Sequence, residues 1–497
     1  MIKARLVFTL DTPLHCGGGD DQFLDQPVSR DSFGLYTIPA SSIAGALRAY
    51  AKRLDSSENC SVVNKLFGGA SATQSKECNS SLLWVSDAKL LDFDGEFAAN
   101  KFIQGKADNC MIAKMQGPFI RDHVCIDDNS ATAKEGGKYD EEIVPSGAKF
   151  ALELTLDGWD CNVDEECKTL FLALCTSLKN NAISFGGKET NGYGRISFKD
   201  DEIMIRQFDL TNEKETEDYL NLKNAPLFSK DDGGKEVSLS TNSNECLNQK
   251  MNTVSGDITL TLVSDGPLLI VGPGVGDDLK NIDADMTFVR TPEFDYNLKT
   301  LVDKKIVPST SFKGVLRHRM IDIAKTWGFK DDYSKLLTKI FGDKDDYGVG
   351  NLTVTDVPLK GNFNKEIEVQ HVAIDRFTGG AYAGALFNEA PVWNKETELD
   401  LHIVLNELDF VSAKLLAFAL FDLCEGTLPI GNGVNRGNGK LSLKQVNGSY
   451  KQSISCNLNI QGKGQITIEN GLGDLDKAKE WLLDLDYEDE HEVNANV

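Results

Sequence analysis

Three segments of this chain occur twice, in the same order, so whatever the first half folds into, the second half must fold into as well. Ile38-Pro-Ala-Ser-Ser-Ile-Ala-Gly-Ala-Leu-Arg48 lies over Val307-Pro-Ser-Thr-Ser-Phe-Lys-Gly-Val-Leu-Arg317, with five identities in eleven positions. Val124 to Pro145 lies over Val372 to Trp393 without a gap, pairing Ile126 with Ile374, Asp127 with Asp375, Gly136 with Gly384 and Glu141 with Glu389. Gly186-Gly-Lys-Glu-Thr-Asn-Gly192-Tyr-Gly194-Arg195 matches Gly431-Asn-Gly-Val-Asn-Arg-Gly437-Asn-Gly439-Lys440. The offset between copies drifts from 269 to 245, as loops of unequal length require. At 497 residues the chain is long enough for two units with cores of their own.

Each copy reads as a small α+β unit. Its first strand alternates, with Ala4, Leu6, Phe8 and Leu10 on one face and Lys3, Arg5 and Thr9 on the other; Ile258, Leu260 and Leu262 mark its partner. A helix follows the Pro-Ser/Thr-Ser start, with Ile43, Leu47, Tyr50 and Leu54 or Phe312, Leu316, Met320 and Ile323 on its apolar face. A strand comes next (82–86, 352–355), then an aperiodic insertion (105–145, 361–393). A second helix carries Leu170, Phe171, Leu174 and Leu178 or Leu415, Leu416, Ala419 and Leu423, and the glycine loop leads into a last short strand. This is the ferredoxin-like order shared with RNA-recognition folds. The expected organisation is a first domain over 1–200, a polar linker over 201–254, a second domain over 255–446, and a closing hairpin with an acidic tail over 447–497.

Acidic side chains outnumber basic ones 76 to 52, a formal net charge of -24. At face value that opposes a nucleic-acid partner. Half of the excess lies outside the repeats, however: 201–254 holds eleven acidic and six basic residues, and 474–497 holds nine and two. Net charge governs solubility and long-range repulsion, whereas binding depends on where positive charge sits. Arg48, Lys52, Arg53, Lys188, Arg195, Arg317, Arg319, Arg436 and Lys440 gather around the repeated motifs. No signal peptide or membrane-length apolar run is present, and the eleven cysteines are odd in number without a CxxC pair, so the expectation is a cytoplasmic protein with neither disulfides nor structural zinc.

The glycine loops bring backbone N–H groups close to any anion, beside Arg195 or Lys440. Such a loop can also be a plain helix-to-strand turn. Its second appearance, with a helix start bearing Ser41-Ser42 or Thr310-Ser311 and an arginine one to two turns inside (Arg48, Arg317), favours phosphate. Asp25 and Arg30, five apart, match Asp285 and Arg290 in the loop after strand one. An aspartate there can be a turn cap; beside a basic loop it can also hold a hydrated divalent cation, orient a 2′-hydroxyl, or both. Of six histidines none joins a serine or cysteine in a repeated context, which argues against a duplicated nucleophile and base.

Together these motifs resemble the repeat-associated mysterious protein (RAMP) superfamily, and within it the backbone subunits of type III CRISPR effector complexes, fused in tandem as in III-D variants. The resemblance rests on Thr12-Pro-Leu-His-Cys-Gly-Gly-Gly19, on Asp25-x-Pro-Val-x-Arg-Asp31, on the Ile38–Arg48 segment, on Ile374-Asp-Arg-Phe-Thr-Gly-Gly-Ala381 with Gly384-Ala-Leu-Phe387, and on both glycine loops. It implies a subunit that binds crRNA, assembles with other effector subunits, and inserts thumb hairpins (110–145, 366–393) into the guide–target duplex. It also implies that Asp25, and by alignment Asp285, promotes Mg2+- or Mn2+-dependent cleavage of target RNA. Asp283 competes for the second role, since Thr287-Phe288 replaces Pro27-Val28, and Asp128 stands in the first thumb where the second has Arg376. RNA contacts are expected from His15, Arg30, Ser41, Ser42, Arg48, Arg53, Gly186, Gly187, Lys188, Gly192, Gly194 and Arg195. In the second copy they are expected from Arg290, Thr310, Ser311, Lys313, Arg317, Arg376, Gly431, Gly433, Arg436, Gly437, Gly439 and Lys440. Two other readings stand beside this one: a non-catalytic crRNA scaffold, and a guide-processing endonuclease, for which only His15 is placed to act as base.

Overall fold

The computed structural model describes residues 1–19, 23–54, 61–69, 80–104, 115–127, 132–157, 165–239, 253–272, 284–327, 333–342, 348–361, 368–393, 397–458 and 462–471. Asp283, Asp128, the first parts of both insertions and the acidic tail lie outside these residues.

The first module begins with β1 (Ile2–Leu10), followed by β2 (Thr37–Ile38), α1 (Ala40–Leu54), α2 (Ser61–Phe67), β3 (Leu83–Val85), β4 (Ala88–Leu90) and α3 (Ala98–Ile103). A hairpin of β5 (Ile120–Ile126) and β6 (Ala133–Glu142) stands out from the body, and β7 (Lys149–Leu156), α4 (Glu165–Lys179) and β8 (Ile196–Ser197) complete the unit. In the antiparallel sheet β1 lies between β7 on one side and β8 on the other, while β3 and β4 pair with β7. That is the ferredoxin-like strand order. The expected faces are the buried ones: Ala4, Leu6, Phe8 and Leu10 pack under Ile43, Leu47 and Tyr50 of α1 and Phe171, Leu174 and Leu178 of α4. The helix α1 starts after Pro39, where Asp87 Oδ1 accepts the Ala40 N–H at 2.8 Å and satisfies one of the donors a helix start leaves open.

The stretch expected as a linker is, in its first part, a layer of this module. Residues Ile203–Gln207 form β9, which pairs antiparallel with β1, followed by α5 (Glu213–Leu220) and β10 (Lys235–Glu236). β9 and β10 extend the sheet beyond β1, and α5 with the segment through Phe228 covers its second face. Arg5 is 6% exposed there, with its guanidinium 4.6 Å above the Phe228 ring and its Nη1 donating to the Lys223 carbonyl. Sequence polarity misled because the covering segment buries few side chains of its own and works through Phe208 and Phe228.

The second module repeats the plan with β11 (Thr253–Ser264), β12 (Met286–Thr287), β13 (Arg290–Asp295), β14 (Thr300–Val307), α6 (Ser309–Thr326), α7 (Tyr333–Phe341), β15 (Leu352–Val354) and β16 (Val357–Pro358). The hairpin of β17 (Val369–Ile374) and β18 (Ala381–Ala390) follows, then β19 (Glu398–Asp409), α8 (Phe410–Cys424), β20 (Leu441–Leu458) and β21 (Gly462–Gly471). The sheet order β15-β19-β11-β20-β21 matches the first module, with β21 added as the expected closing hairpin. The strand that follows the glycine loop, β20, is eighteen residues long rather than short. Among the described residues no helix is long and apolar enough to cross a membrane.

The two modules are packed together by elements that the repeat does not share. The β13–β14 hairpin places Phe294 in the first module's core, and Tyr296 Oη donates to the Leu91 carbonyl at 2.9 Å. From the first thumb's root, Arg121 reaches Asp356 Oδ2 at 2.6 Å, Thr291 Oγ1 at 2.9 Å and Tyr193 Oη at 3.0 Å. Nearby, Arg195 meets His402 Nδ1 at 2.9 Å.

Candidate functional site

In both modules the loop after strand one runs beside the returning thumb strand, and the paired aspartates occupy the same place on it. Asp25 Oδ2 accepts the backbone N–H of Asp140 at 3.1 Å, and Asp285 Oδ2 accepts that of Asn388 at 2.9 Å. Asp140 and Asn388 are themselves equivalent, each preceding the repeated glutamate. Asp285 therefore occupies the place of Asp25, and Asp283 lies outside the described residues. The first site is more acidic, because Asp140 Oδ1 also accepts the Asp25 N–H at 2.7 Å.

Behind each aspartate lies a buried cluster built from three matching residues and a loop cation drawn from non-equivalent positions, Lys188 aligning with Gly433 and Arg436 with Asn191. Glu141 is 0% exposed and Glu389 2%. His123 Nε2 contacts Glu141 at 2.8 Å, and His371 Nε2 contacts Glu389 at 2.8 Å. A cation from the glycine loop completes each: Lys188 Nζ at 2.9 Å from Glu141, Arg436 Nη2 at 2.6 Å from Glu389. The imidazoles stack on Tyr139 and Phe387, with centroids 5.0 Å apart in each case, and the cations lie over the same rings. Burial alone would raise the Glu141 carboxyl, but the His123 hydrogen bond and Lys188 hold it below the usual carboxylate range. Lys188 also donates to Gln26 Oε1 at 2.8 Å, so the chain beside Asp25 is tied to the thumb root through one ammonium. Sequence reasoning missed this duplicated histidine. The gapless match of the two insertions, extended one residue upstream, pairs His123 with His371.

The glycine loops are close-packed turns rather than open anion cradles. A side chain at Gly194 or Gly439 would collide with the carbonyl of Phe185 or Ile430, and one at Gly186 or Gly431 with that of His15 or Leu269. Their N–H groups are used internally: Gly187 N donates to the His15 carbonyl at 2.8 Å, Asn432 N to that of Leu269 at 2.7 Å, and Gly194 N and Gly439 N to those of Pro13 and Pro267. Gly192, Gly433 and Gly437 hold left-handed backbone around the single turn between them. The helix starts are likewise occupied, with Asp87 capping Ala40, and Asp356 Oδ1 accepting the Ser309 N–H at 2.9 Å.

Several basic residues expected in an RNA groove are turned inward. Arg30 binds the carbonyls of Gly34 and Gln116 and the Glu142 carboxylate, which fixes the loop bearing Asp25. Its counterpart Arg290 lies in β13, paired with Lys305. Lys313 is at the junction of the modules, donating to Asn191 Oδ1 at 3.0 Å, and burial pulls its ammonium down to about 7. Arg319 pairs with Asp422, Arg48 with Asn64, and Arg195 with His402 across the junction. His15 is held between the thumb root and the glycine loop, 2.9 Å from the Glu142 carbonyl. Ser42 meets the Cys16 thiol, Ser41 is exposed, and Thr310, Ser311 and Arg317 are half-buried. Exposed positive charge remains at Lys52, Arg53, Arg376 and Lys440. The thumbs carry exposed apolar side chains, Val124 and Ile126 on the first and Val372, Ile374, Phe377 and Tyr382 on the second.

Among the described residues no three His, Cys, Asp or Glu side chains converge as a metal cage. Asp25 with Asp140, and Asp285 with the Asn388 amide, are instead hard oxygen donors suited to an ion that keeps most of its water and takes further oxygens from phosphate.

The family model described as RAMPs, the RAMP superfamily, matches this chain twice, over residues 7–197 and 291–442, and the chain belongs to that superfamily. The chain is similar to the CRISPR system Cms endoribonuclease Csm3 of Methanocaldococcus jannaschii, 26% identical over 217 residues that cover 40% of this chain and 79% of that protein. Among solved structures, the cryo-EM structure of type III-B Cmr-beta in its apo state aligns with 40% of this chain and 96% of its own, at 16% identity and a TM-score of 0.30.

Proposed function

We propose that the chain is a crRNA-binding backbone subunit of a type III CRISPR effector complex, and that Asp25 and Asp285 each direct cleavage of complementary target RNA. The observation that carries the reading is the equivalence of the two aspartates, each fixed by a backbone N–H of the returning thumb strand in a chain of this family. The similarity to a protein named as an endoribonuclease supports it.

In this reading each aspartate keeps one carboxylate oxygen on its backbone donor and presents the other to the RNA. Asp25 with Asp140, or Asp285 with Asn388, would hold Mg2+ or Mn2+, and the bound ion supplies neutralisation of charge at the scissile phosphate. The thumb's apolar residues, exposed on both hairpins, part the guide–target duplex by packing against splayed bases. Lys188 and Arg436, each a quarter or more exposed, offer a cation to the phosphates next to the cleavage point.

The test is to purify the assembled complex through this chain, sequence the RNA it carries, and incubate it with complementary RNA. A bound guide with a constant repeat-derived end, and target cut with Mg2+ but not with EDTA, is the expected result. Target left whole in Mg2+ by a guide-loaded complex would establish the scaffold reading instead. The absence of a three-ligand cluster among the described residues is the observation that favours that second reading.

A further inference from the structure

The loop that carries Asp25 is gripped by one buried residue, Glu142, the last of β6. Consecutive residues of a strand face opposite ways, so Glu141 turns to His123 and Lys188 while Glu142 turns to the loop. The Glu142 backbone N–H donates to the Gln26 carbonyl at 2.9 Å, and its Oε2 accepts the Val28 N–H at 3.0 Å. Its Oε1 takes the Arg30 guanidinium and, at 3.2 Å, the Tyr36 hydroxyl. Arg30 in turn donates to the carbonyls of Gly34 and Gln116, both at 2.6 Å, and lies 4.3 Å over the Tyr36 ring. Gln26, Val28 and Arg30 are the first, third and fifth residues after Asp25, so one side chain and its own backbone fix the chain that leads away from that aspartate.

The second module seats its loop differently. The backbone pairing is kept, with Met286 beside Glu389 and Thr287 beside Ala390. The gapless match of the two thumbs puts Ala390 in the place of Glu142, and Phe288 stands in the place of Val28. Ala390 and Phe288 are both fully buried, and Phe288 joins the apolar core of the second module. One loop is held by charge and hydrogen bonds, the other by apolar packing. Only the first is exposed to the loss of a charge, because removing one partner of a buried pair leaves the other unanswered.

We propose that Glu142 is a positioning residue for cleavage at Asp25, acting through the Val28 N–H and the Arg30 guanidinium, and that it has no part in cleavage at Asp285. The inference rests on the proposed cleavage reading and deepens it by giving each cut its own structural support. At 1% exposure Glu142 has no surface to offer RNA, so its effect passes through the loop. Displacing a reacting group by about 1 Å is enough to cost about 100-fold in rate.

The test uses the guide-loaded complex in Mg2+, with both cuts followed on one target; the first cut is the one that Asp25→Ala removes. Glu142→Gln keeps the volume of the side chain and removes its charge. The expected result is a fall of about tenfold or more in kcat at the first cut, with KM and the second cut at wild-type values. Hydrogen exchange in the segment 26–30 should quicken in the same variant while 286–290 keeps its rate. Arg30→Gln breaks the pair from its more exposed end and carries the same prediction should Glu142→Gln fail to assemble. The two substitutions together should cost no more than either alone, because they release one clamp. An unchanged first cut, equal loss of both cuts, unchanged exchange, or losses that multiply in the pair would each overturn the inference. A wild-type complex that cuts at neither place fails earlier, on the proposed function, and takes this inference with it.

Discussion

A carboxylate buried at the root of a hairpin is tolerated only while its neighbours answer its charge, and Glu141 has His123 and Lys188 for that purpose. Replacing Glu141 with Gln leaves Lys188 facing a neutral amide. We expect a loss of about 2 kcal/mol, less than for a fully buried pair because Lys188 is partly exposed. A carboxyl held below its ordinary range stabilises the fold above the unfolded glutamate pKa of about 4.3 and loses that contribution as pH falls through the lower folded value. The melting-temperature gap between wild type and Glu141→Gln should therefore be full at pH 7 and close below about pH 4. A gap that stays constant into acid would show that the carboxylate is not what the substitution removed. At this scale the sequence discloses Asp25 and Asp285 through their spacing from Arg30 and Arg290, but not the inward turn of Arg30. Nothing in a linear pattern tells whether a guanidinium faces Glu142 or solvent.

The elements readable in the sequence are those whose apolar period is uninterrupted. Both copies of the two packed helices bury the predicted faces, with Leu415, Leu416, Ala419 and Leu423 of α8 all in the core. The thumb hairpins were legible through the family resemblance and not through periodicity, because their strands expose both faces over much of their length and alternate weakly. The layer over 201–239 was hidden for the opposite reason, its few anchors being diluted by charge. Phe228 is one of those anchors, lying under the guanidiniums of Arg5 and Arg206. Phe228→Ala should cost about 3 kcal/mol in urea unfolding. An unchanged midpoint would return this stretch to the status of a linker.

For the whole molecule, duplication is the property from which the rest follows, and it was legible because three motifs keep their order while loops between them change length. What the repeat could not disclose is the junction, since the long β13–β14 hairpin is only a short turn between Arg30 and Tyr36 in the first copy, and Val369 and Ala44 stand in the places of Arg121 and Lys313. The charge of -24 resolves in the same way. Part of the acidic excess lies in the layer covering the first sheet, and much of the basic charge near the motifs is neutralised internally, leaving the thumbs and a few exposed cations as the surfaces open to the proposed RNA partner. The central claim is that each module carries its own cleavage site, and mapping the ends of target fragments at single-nucleotide resolution tests it most directly. Complexes assembled with Asp25→Ala, Asp285→Ala or both, each loaded with guide, are compared in Mg2+. Each single substitution should remove one cut and leave the other at the wild-type rate, and the double substitution should remove both; all cuts surviving in the double variant would contradict the account.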